Sequence, residues 1–303
     1  MSAAPLSLGT AQLGLPYGVA NRRGLPSIAE AEALLDAAAD SGVRALDTAA
    51  VYGSSEERIG AWLRRRGSAH VFEICSKLPP LGTLPRGESI DRVVATAVES
   101  SLRKLGVERL DGYLVHRAED LRLHGRALVD ALEAQHRLGR IGRVGVSAYN
   151  PEQAATVSEL PAGSIVQHPF NLLDRRLVES GALGRLREHD VRIHARSAFL
   201  QGLLTLSPDA LPERVAHARP YLVELSELLA ERELTPADAA LAFAASGEVD
   251  RVVVGVDTPA QLHANLAAME RPLPENLLEA LSARLGRVPA EVVEPPRWGE
   301  ESS

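Results

Sequence analysis

Residues 46–53, LDTAAVYG, decide how the rest of the chain is interpreted. An apolar run from Val43 leads to Asp47 and predicts a short buried strand that ends on a carboxylate. Tyr52 follows five residues later, and Gly53 behind it allows a sharp turn. A carboxylate at a strand end and a phenol on the next loop can meet in one cleft, although the same two residues could also be a turn cap and a half-buried core tyrosine.

Length and composition limit the class of protein. The 303 residues are 45% hydrophobic and 24% charged, which is ordinary for a soluble globular chain. The net charge of −7 argues against general binding to nucleic acid or an anionic membrane, but not against a local basic pocket for a phosphorylated cofactor. No apolar run approaches the roughly 20 residues that span a bilayer, and the N-terminus MSAAPLSLGT has no signal-peptide pattern. We therefore expect a cytoplasmic protein with no nucleic-acid or membrane partner.

Cysteine and histidine usage gives no sign of a metal centre. The one cysteine, Cys75, lies in an apolar run, which excludes a disulfide framework and a zinc cluster and indicates a core residue. His168 and His194 fall inside predicted strands and are expected to be core or rim residues. No group of His, Asp and Glu has metal-ligand spacing, so no metal is predicted.

Short apolar segments alternate with helical patterns along the whole chain. Eight of them are predicted strands, at 6–10, 43–47, 71–77, 110–116, 143–148, 164–170, 191–198 and 251–256. Predicted helices lie at 28–41, from Ser55, at 89–105, 125–139, from Pro151, at 179–189, 221–231, 237–246 and from Pro259. Strands this apolar are buried on both faces, as in parallel sheets. Eight βα units predict a single-domain (β/α)8 TIM barrel over residues 1–303, with a tail from about residue 287 that is extended or partly disordered.

A doubly wound sheet is the alternative α/β architecture. No G-x-G-x-x-G motif opens any predicted helix, which argues against it.

Titratable residues end three neighbouring strands of the predicted barrel. Asp47 ends the second strand, Lys77 the third and His116 the fourth, while Tyr52 lies on the loop after the second. Active sites of such barrels lie at the carboxyl ends of the strands. A tyrosine with a pKa near ~10 is a weak acid at neutral pH, and a nearby ammonium such as that of Lys77 would lower its pKa. Asp47 could hold Lys77 charged, and His116 could position a substrate oxygen, so the set suits proton delivery to a carbonyl that accepts hydride.

These motifs resemble the aldo-keto reductase family over residues 8–266. The family pattern DTAxxYG stands at 47–53, its lysine strand as ICSK ending at Lys77, and its histidine strand as LVHR around His116. Matches to all parts, in order and at strand ends, are far more specific than any single one. The resemblance implies a (β/α)8 barrel that reduces aldehydes and ketones with NAD(P)H, using Asp47, Tyr52, Lys77 and His116 as the catalytic tetrad.

The resemblance also assigns nicotinamide contacts. Ser147, in GVSAYN, is similar to a residue that binds the carboxamide, but Ala148 replaces the usual asparagine after it. Gln167 is similar to the second carboxamide contact. Arg196 stands where the family usually places an aromatic residue that stacks on the nicotinamide, and a guanidinium plane can stack there while adding charge.

Three further segments carry the remaining cofactor contacts that the resemblance implies. The first loop borders the nicotinamide, residues 197–203 resemble a pyrophosphate-binding loop, and residues 255–266 resemble an adenosine-binding stretch. The implied residues are Gly9, Thr10, Ser197, Phe199, Gln201, Gly202, Gly255, Asp257, Thr258, Gln261 and Asn265, with Gln12 and Tyr17 on the substrate side.

The expected cofactor is NADPH or NADH, with NADPH ahead. Asp257 and Thr258 stand where many family members place Ser and Arg for the 2′-phosphate of NADPH. A carboxylate there would repel a phosphate but could accept a hydrogen bond from a ribose hydroxyl.

The sequence thus favours a cytoplasmic NAD(P)-dependent oxidoreductase that interconverts small carbonyl compounds, sugars included, and alcohols. Tyr52 would act as general acid in reduction and general base in oxidation. Two other readings stay open: a cofactor-binding regulatory protein, like the channel-associated subunits of the family, and a sugar isomerase or lyase that needs no nicotinamide. The sequence leaves open a monomer or a homo-oligomer.

Overall fold

A computed structural model describes residues 5–67 and 71–298, and eight parallel strands form its centre. Each strand pairs with the next in sequence, and the first also pairs with the eighth, which closes the barrel. The strands are β1 Leu6–Gly9, β2 Ala45–Asp47, β3 Glu73–Leu78, β4 Leu110–Val115, β5 Ile141–Ser147, β6 Ile165–Pro169, β7 Arg192–Arg196 and β8 Arg251–Gly255. This confirms the predicted (β/α)8 barrel.

Helices connect the strands and cover the outside of the barrel. They are α1 Ala11–Gly14, α2 Ile28–Asp40, α3 Ser55–Arg66, α4 Ile90–Leu105, α5 Ala118–Arg137, α6 Pro151–Ala155, α7 Arg176–Glu179, α8 Ala182–Glu188, α9 Arg219–Ala230, α10 Pro236–Ser246, α11 Pro259–Met269, α12 Leu277–Leu285 and α13 Ala290–Val293. A capping box starts α2, because Ser27 and Glu30 each accept a hydrogen bond from the other's backbone amide.

The hydrophobic core has an outer and an inner part. The outer part lies between strands and helices and includes Trp62, which is fully buried. The inner part is a small cluster of Cys75, Leu114 and Ile165. A Cβ on Gly112 of β4 would lie within 2.9 Å of both the Cys75 and Ile165 side chains, which come from β3 and β6. These side chains therefore meet inside the barrel, and Cys75 is the core residue that the sequence predicts.

Close backbone packing holds the loop that carries Tyr52. Gly14 of α1 lies so near this loop that a Cβ on it would be 1.8 Å from the Tyr52 carbonyl oxygen. Gly53 has a φ of 54°, and a Cβ there would be 2.2 Å from the Gly14 carbonyl oxygen. Both glycines are needed, because any side chain would push α1 and the loop apart.

Helices α5 and α12 differ most from the prediction, and the short helices α1 and α7 were also not predicted. Helix α5 begins at Ala118 rather than at residue 125, with a break at Gly125, where φ is 51° and ψ is −134°. The pattern before the break was missed because glycine interrupts the helical periodicity. Helix α12 was not predicted at all; its buried Leu277, Leu281 and Leu285 recur every fourth residue and hold it against the barrel layer.

The segment after α12 is not extended, in contrast to the prediction for the tail from residue 287. It forms α13 and a short 3-10 helix, Pro295–Arg297, because Val288, Val292 and Val293 bury their side chains in the core. The indole of Trp298 donates a hydrogen bond to the Val292 carbonyl, 3.1 Å away. Residues 299–303 of the predicted tail lie outside the described residues, as do the first four residues of the chain.

Candidate active site

The structure brings the four predicted catalytic side chains together at the carboxyl ends of the strands. Asp47 is the last residue of β2, Lys77 lies near the end of β3 and His116 follows β4 directly. Tyr52 reaches the same place from the loop between β2 and α3. This is the rim at which (β/α)8 barrels carry their active sites.

A buried ion pair forms the centre of the site. The Lys77 Nζ donates to Asp47 Oδ1 at 2.6 Å and to the Thr48 carbonyl at 2.9 Å, and both charged side chains are at most 5% exposed. Gln167 Nε2 donates to the other Asp47 oxygen at 2.6 Å. Burial acts to lower the pKa of Lys77, but Asp47, together with Tyr52 and Cys75, outweighs burial and holds the pKa above its ordinary value. Lys77 is therefore a fixed positive charge.

The Tyr52 hydroxyl lies next to this charge, 3.5 Å from the Lys77 Nζ. Nevertheless the pKa of Tyr52 is raised above its ordinary value, because burial outweighs the opposing effect of the ammonium. Lys77 does act to lower the pKa of Tyr52, as expected, but the pKa as a whole is raised, so the expectation of a lowered pKa is wrong. The consequence is a phenol that stays protonated at neutral pH, as a proton donor must be.

His116 completes the group as a neutral imidazole. Its ring meets the Tyr52 ring edge to face, with centroids 6.0 Å apart. Burial, together with the positive charges of Lys77 and Arg196, lowers the pKa of His116 to about 3. Its Nδ1 is buried and has no hydrogen-bond partner among the described residues. A neutral imidazole can offer either a donor or an acceptor to a ligand.

Hydroxyl groups below the site fix the backbone of Asp47. Thr10 is fully buried, and its amide and its hydroxyl both donate to the Asp47 carbonyl at 2.9 Å. Ser55 Oγ lies 2.9 Å from the Thr10 hydroxyl and 3.0 Å from that of Thr48. The Thr10 side chain, predicted to bind cofactor, is thus already engaged by the protein.

A cavity of about 490 Å³ opens beside these residues, within the size range of sites for small ligands and cofactors. Of the predicted site residues, those that line it are Gly9, Thr10, Gln12, Tyr17, Asp47, Tyr52, Gln167, Arg196, Ser197, Phe199, Gln201, Gly202, Gly255, Asp257, Gln261 and Asn265. Lys77, His116, Ser147 and Thr258 are not among the lining residues. Ser147 pairs in register with Gln167 and is buried behind the cavity wall.

The loop after β7 forms one wall of the cavity in a strained conformation. Ser197, Leu200 and Gln201 have φ values of 58°, 47° and 55°, in the left-handed region that non-glycine residues seldom adopt. Such strain typically costs about 1–3 kcal/mol per residue and is found at ligand sites. Within the described chain, the amides of Ala198, Phe199 and Gln201 have no hydrogen-bond partner. Free amides on a cavity wall suit an anion such as a pyrophosphate.

Arg196, at the end of β7, spans the rim next to this loop. Its guanidinium donates to the Ala148 carbonyl and to Ser197 Oγ, each at 3.1 Å. It also lies over the ring of Tyr149, 4.3 Å from the centroid. Tyr149 was not among the predicted site residues. Its position two residues after the end of β5, at the rim that carries the site, was the signal that could have identified it.

Asp257, on the loop after β8, also lines the cavity, and its amide donates to Gln261 Oε1 at 2.7 Å. Burial raises the pKa of Asp257, and nearby Arg23 acts in the opposite direction. Thr258 accepts from the Gln261 amide and caps α11, so its hydroxyl has a structural role. A second cavity of about 270 Å³ adjoins here and contains Arg23, which pairs with Glu30.

These features fit a dinucleotide better than a small substrate alone. The cavity is lined by Tyr52, by the β7 loop with its free amides and by Asp257 after β8. It thus combines a proton donor, amides that suit an anion and a carboxylate able to accept from a sugar hydroxyl.

Comparison with known proteins agrees with this geometry. The sequence pattern described as "Aldo/keto reductase family" matches residues 5–284. The chain belongs to the aldo-keto reductase family. Aldo-keto reductase str7 of Strobilurus tenacellus is 30% identical over 91% of this chain and 86% of its own length. The L-glyceraldehyde 3-phosphate reductase of Escherichia coli O157:H7 is 27% identical over 87% of this chain and 85% of its own.

A solved structure supports the same assignment. A Pseudomonas aeruginosa protein assigned to the aldo-keto reductases superimposes with a TM-score of 0.65 and 26% identity, over 89% of this chain and 91% of its own. The D-threo-aldose 1-dehydrogenase of a Pseudomonas species is 28% identical over 89% of this chain and 93% of its own. This aldo-keto reductase thus resembles proteins named as oxidoreductases along nearly its whole length.

Two features of the described residues concern membrane crossing and metal binding. None of the helices in the described part of the chain combines the length and the apolar character that a membrane crossing requires. Residues 5–67 and 71–298 hold no group of three or more His, Cys, Asp or Glu able to ligate a metal ion.

Proposed function

We propose that this aldo-keto reductase reduces small aldehydes and ketones with NADPH or NADH, and that Tyr52 is the proton donor. The observation that carries the proposal is the Tyr52 hydroxyl beside the Lys77 ammonium, on the wall of a cavity of about 490 Å³. The expectation of NADPH ahead of NADH stays a prediction. So do the single-domain organisation, the cytoplasmic setting and the choice between monomer and homo-oligomer.

A bound reduced nicotinamide would supply the hydride for this reaction. Tyr52 gives its proton to the carbonyl oxygen as that oxygen gains charge, and the Lys77 ammonium stabilises the phenolate that remains. Asp47 keeps Lys77 charged and in place. His116, neutral because its pKa is about 3, can donate a hydrogen bond to the same oxygen without competing as an acid.

Sugar-like aldehydes are the substrate class that we propose first. Two of the relatives are named for activity on a phosphorylated triose aldehyde and on aldoses. Tyr17 lines the cavity, and its hydroxyl can bond to the hydroxyls of a sugar, whereas the predicted Gln12 lies beside Gly255 and Asp257 instead. Burial raises the pKa of Tyr17, so it enters such contacts as a neutral phenol.

The proposal is tested with the substitution Tyr52→Phe. Turnover should fall by ~10²-fold or more, because the proton donor is lost, while the dissociation constant for cofactor stays near that of the wild type. Tyr221→Phe makes the same change on α9 and should leave turnover unaltered. Near-normal turnover of Tyr52→Phe would remove Tyr52 from the role of acid.

Two measurements separate the alternatives. A cofactor-binding regulatory protein would bind NADPH or NADH but would show little turnover with a panel of aldehydes, ketones and sugars. An isomerase or lyase on the same barrel would leave the fluorescence of NADH and NADPH unchanged on mixing. Either result would replace the proposed reductase activity.

A further inference from the structure

Arg196 is an unbalanced positive charge on the cavity wall. No carboxylate oxygen of the described residues lies within 4.0 Å of its guanidinium, whereas Lys77 is paired with Asp47. Its hydrogen bonds go to a carbonyl and a hydroxyl, which carry no net charge, and its Nε is buried with no partner among the described residues. The charge is therefore fixed in place and is not neutralised by the protein.

The guanidinium lies beside the residues expected to hold the nicotinamide carboxamide. Arg196 pairs in register with Pro169, two residues after Gln167 on β6. It also crosses to β5 and bonds to the carbonyl of Ala148, the residue directly after Ser147. Gln167 and Arg196 both line the cavity, so a nicotinamide ring placed against Gln167 would lie next to the guanidinium.

The field of Arg196 reaches the reacting groups. Its charge acts to lower the pKa of Tyr52 and also that of His116. The Tyr149 ring packs on the guanidinium, 4.3 Å from centroid to Cζ, and fixes its plane. This ring and two hydrogen bonds together hold the guanidinium at the cavity wall.

We propose that Arg196 makes this protein bind the reduced cofactor in preference to the oxidised cofactor. The proposal rests on the function proposed above. The dihydronicotinamide ring is neutral, and the oxidised ring carries one positive charge. An unbalanced guanidinium next to the ring therefore opposes binding of the oxidised form alone, whereas an aromatic side chain in its place would attract that form.

The preference has a consequence for catalysis. In reduction the carbonyl carbon receives a hydride, with its two electrons, from the dihydronicotinamide, and the carbonyl oxygen receives the Tyr52 proton. The ring thereby gains one positive charge, and the phenolate recovers its proton from water. Arg196 then lowers the affinity for the oxidised cofactor, so the protein releases it and binds the reduced cofactor even when both forms are present.

The test measures dissociation constants by isothermal titration, with no substrate present. NADPH, NADP⁺, NADH and NAD⁺ are titrated at one ionic strength into the wild type, Arg196→Gln, Arg196→Lys and the control Arg126→Gln, which removes the same charge from exposed α5. For the wild type we expect the reduced form of the preferred cofactor to bind at least tenfold more tightly than its oxidised form. Arg196→Gln should lower this ratio about tenfold, and Arg196→Lys, which keeps the charge, should retain most of it.

Three results would overturn the proposal. A wild-type ratio below about threefold would do so even if Arg196→Gln does not fold. An unchanged ratio in a folded Arg196→Gln would show that the charge does not act on the ring. Equal weakening of both forms would show that Arg196 binds a group they share, such as the pyrophosphate. If the wild type binds none of the four nucleotides, the proposed function itself fails, and that outcome differs from each of the three.

Discussion

Removing the ammonium of Lys77 should destabilise the fold as well as abolish activity. In Lys77→Met the Asp47 carboxylate would remain buried with Gln167 as its one side-chain donor, because the 2.6 Å bond from Lys77 is gone. Breaking a buried ion pair in this way costs about 3–5 kcal/mol of folding free energy. The pKa of Tyr52 should rise further, because the ammonium is the largest influence that lowers it.

The double variant Asp47→Asn/Lys77→Met shows whether pairing is the cause. It leaves no buried charge uncompensated, so its loss of stability should be smaller than the sum of the two single losses by about 2 kcal/mol or more. The free energy of unfolding is measured by urea denaturation for the wild type, the two single variants Asp47→Asn and Lys77→Met, and the double variant. Unfolding is followed by circular dichroism and by the fluorescence of buried Trp62. A loss below about 1 kcal/mol in Lys77→Met, or additive single losses, would refute the argument.

Three other predictions follow from buried groups. Burial lowers the pKa of His168 to about 3 and of His194 to about 4. The unfolded chain therefore takes up more protons than the folded chain as pH falls below 6.5, and each histidine should lower the free energy of unfolding by about 2 kcal/mol between pH 7 and pH 5. Urea unfolding of His168→Gln should show a smaller loss of stability over this pH range. Asp257→Asn should raise the affinity for NADPH relative to NADH about tenfold in titration, because it removes a charge that repels phosphate; an unchanged ratio would place the 2′-phosphate elsewhere. A Cβ on Gly60 would lie 2.1 Å from the Lys104 carbonyl, whereas one on Gly184 meets no atom within 4 Å; Gly60→Ala should cost about 1–3 kcal/mol in thermal unfolding and Gly184→Ala should cost nothing.

The barrel could be predicted because each strand is a local apolar pattern and strand order follows chain order. The same reasoning located Asp47, Lys77 and His116, since a polar residue at the end of an apolar strand must lie at the rim. It missed α12, whose leucines follow Pro-containing residues after α11, and the start of α5, where Gly125 interrupts the period.

The balance of charge and burial in the site could not be predicted. The sequence indicates that Lys77 lies near Tyr52, but not how much water remains around the phenol, and it is burial that decides the direction of the Tyr52 pKa. The stacking of Arg196 on Tyr149 likewise depends on two side chains 47 residues apart, from β7 and the loop after β5. Contacts of this kind are set by the assembled barrel and have no local signature.

The Arg176 guanidinium links Glu294, after the last helix, to Tyr149 at the rim of the site. Arg176 bonds to Glu294 Oε1 at 2.6 Å and to the Tyr149 carbonyl at 2.8 Å, and the Tyr149 ring supports Arg196. A protease cut or a fusion that draws Glu294 away would remove one charged partner of Arg176 and leave Asp174 and the Tyr149 carbonyl to hold it. The support of Tyr149 under Arg196 would then be weaker, so the integrity of the terminus belongs among the quality checks for any nucleotide-binding assay of this protein.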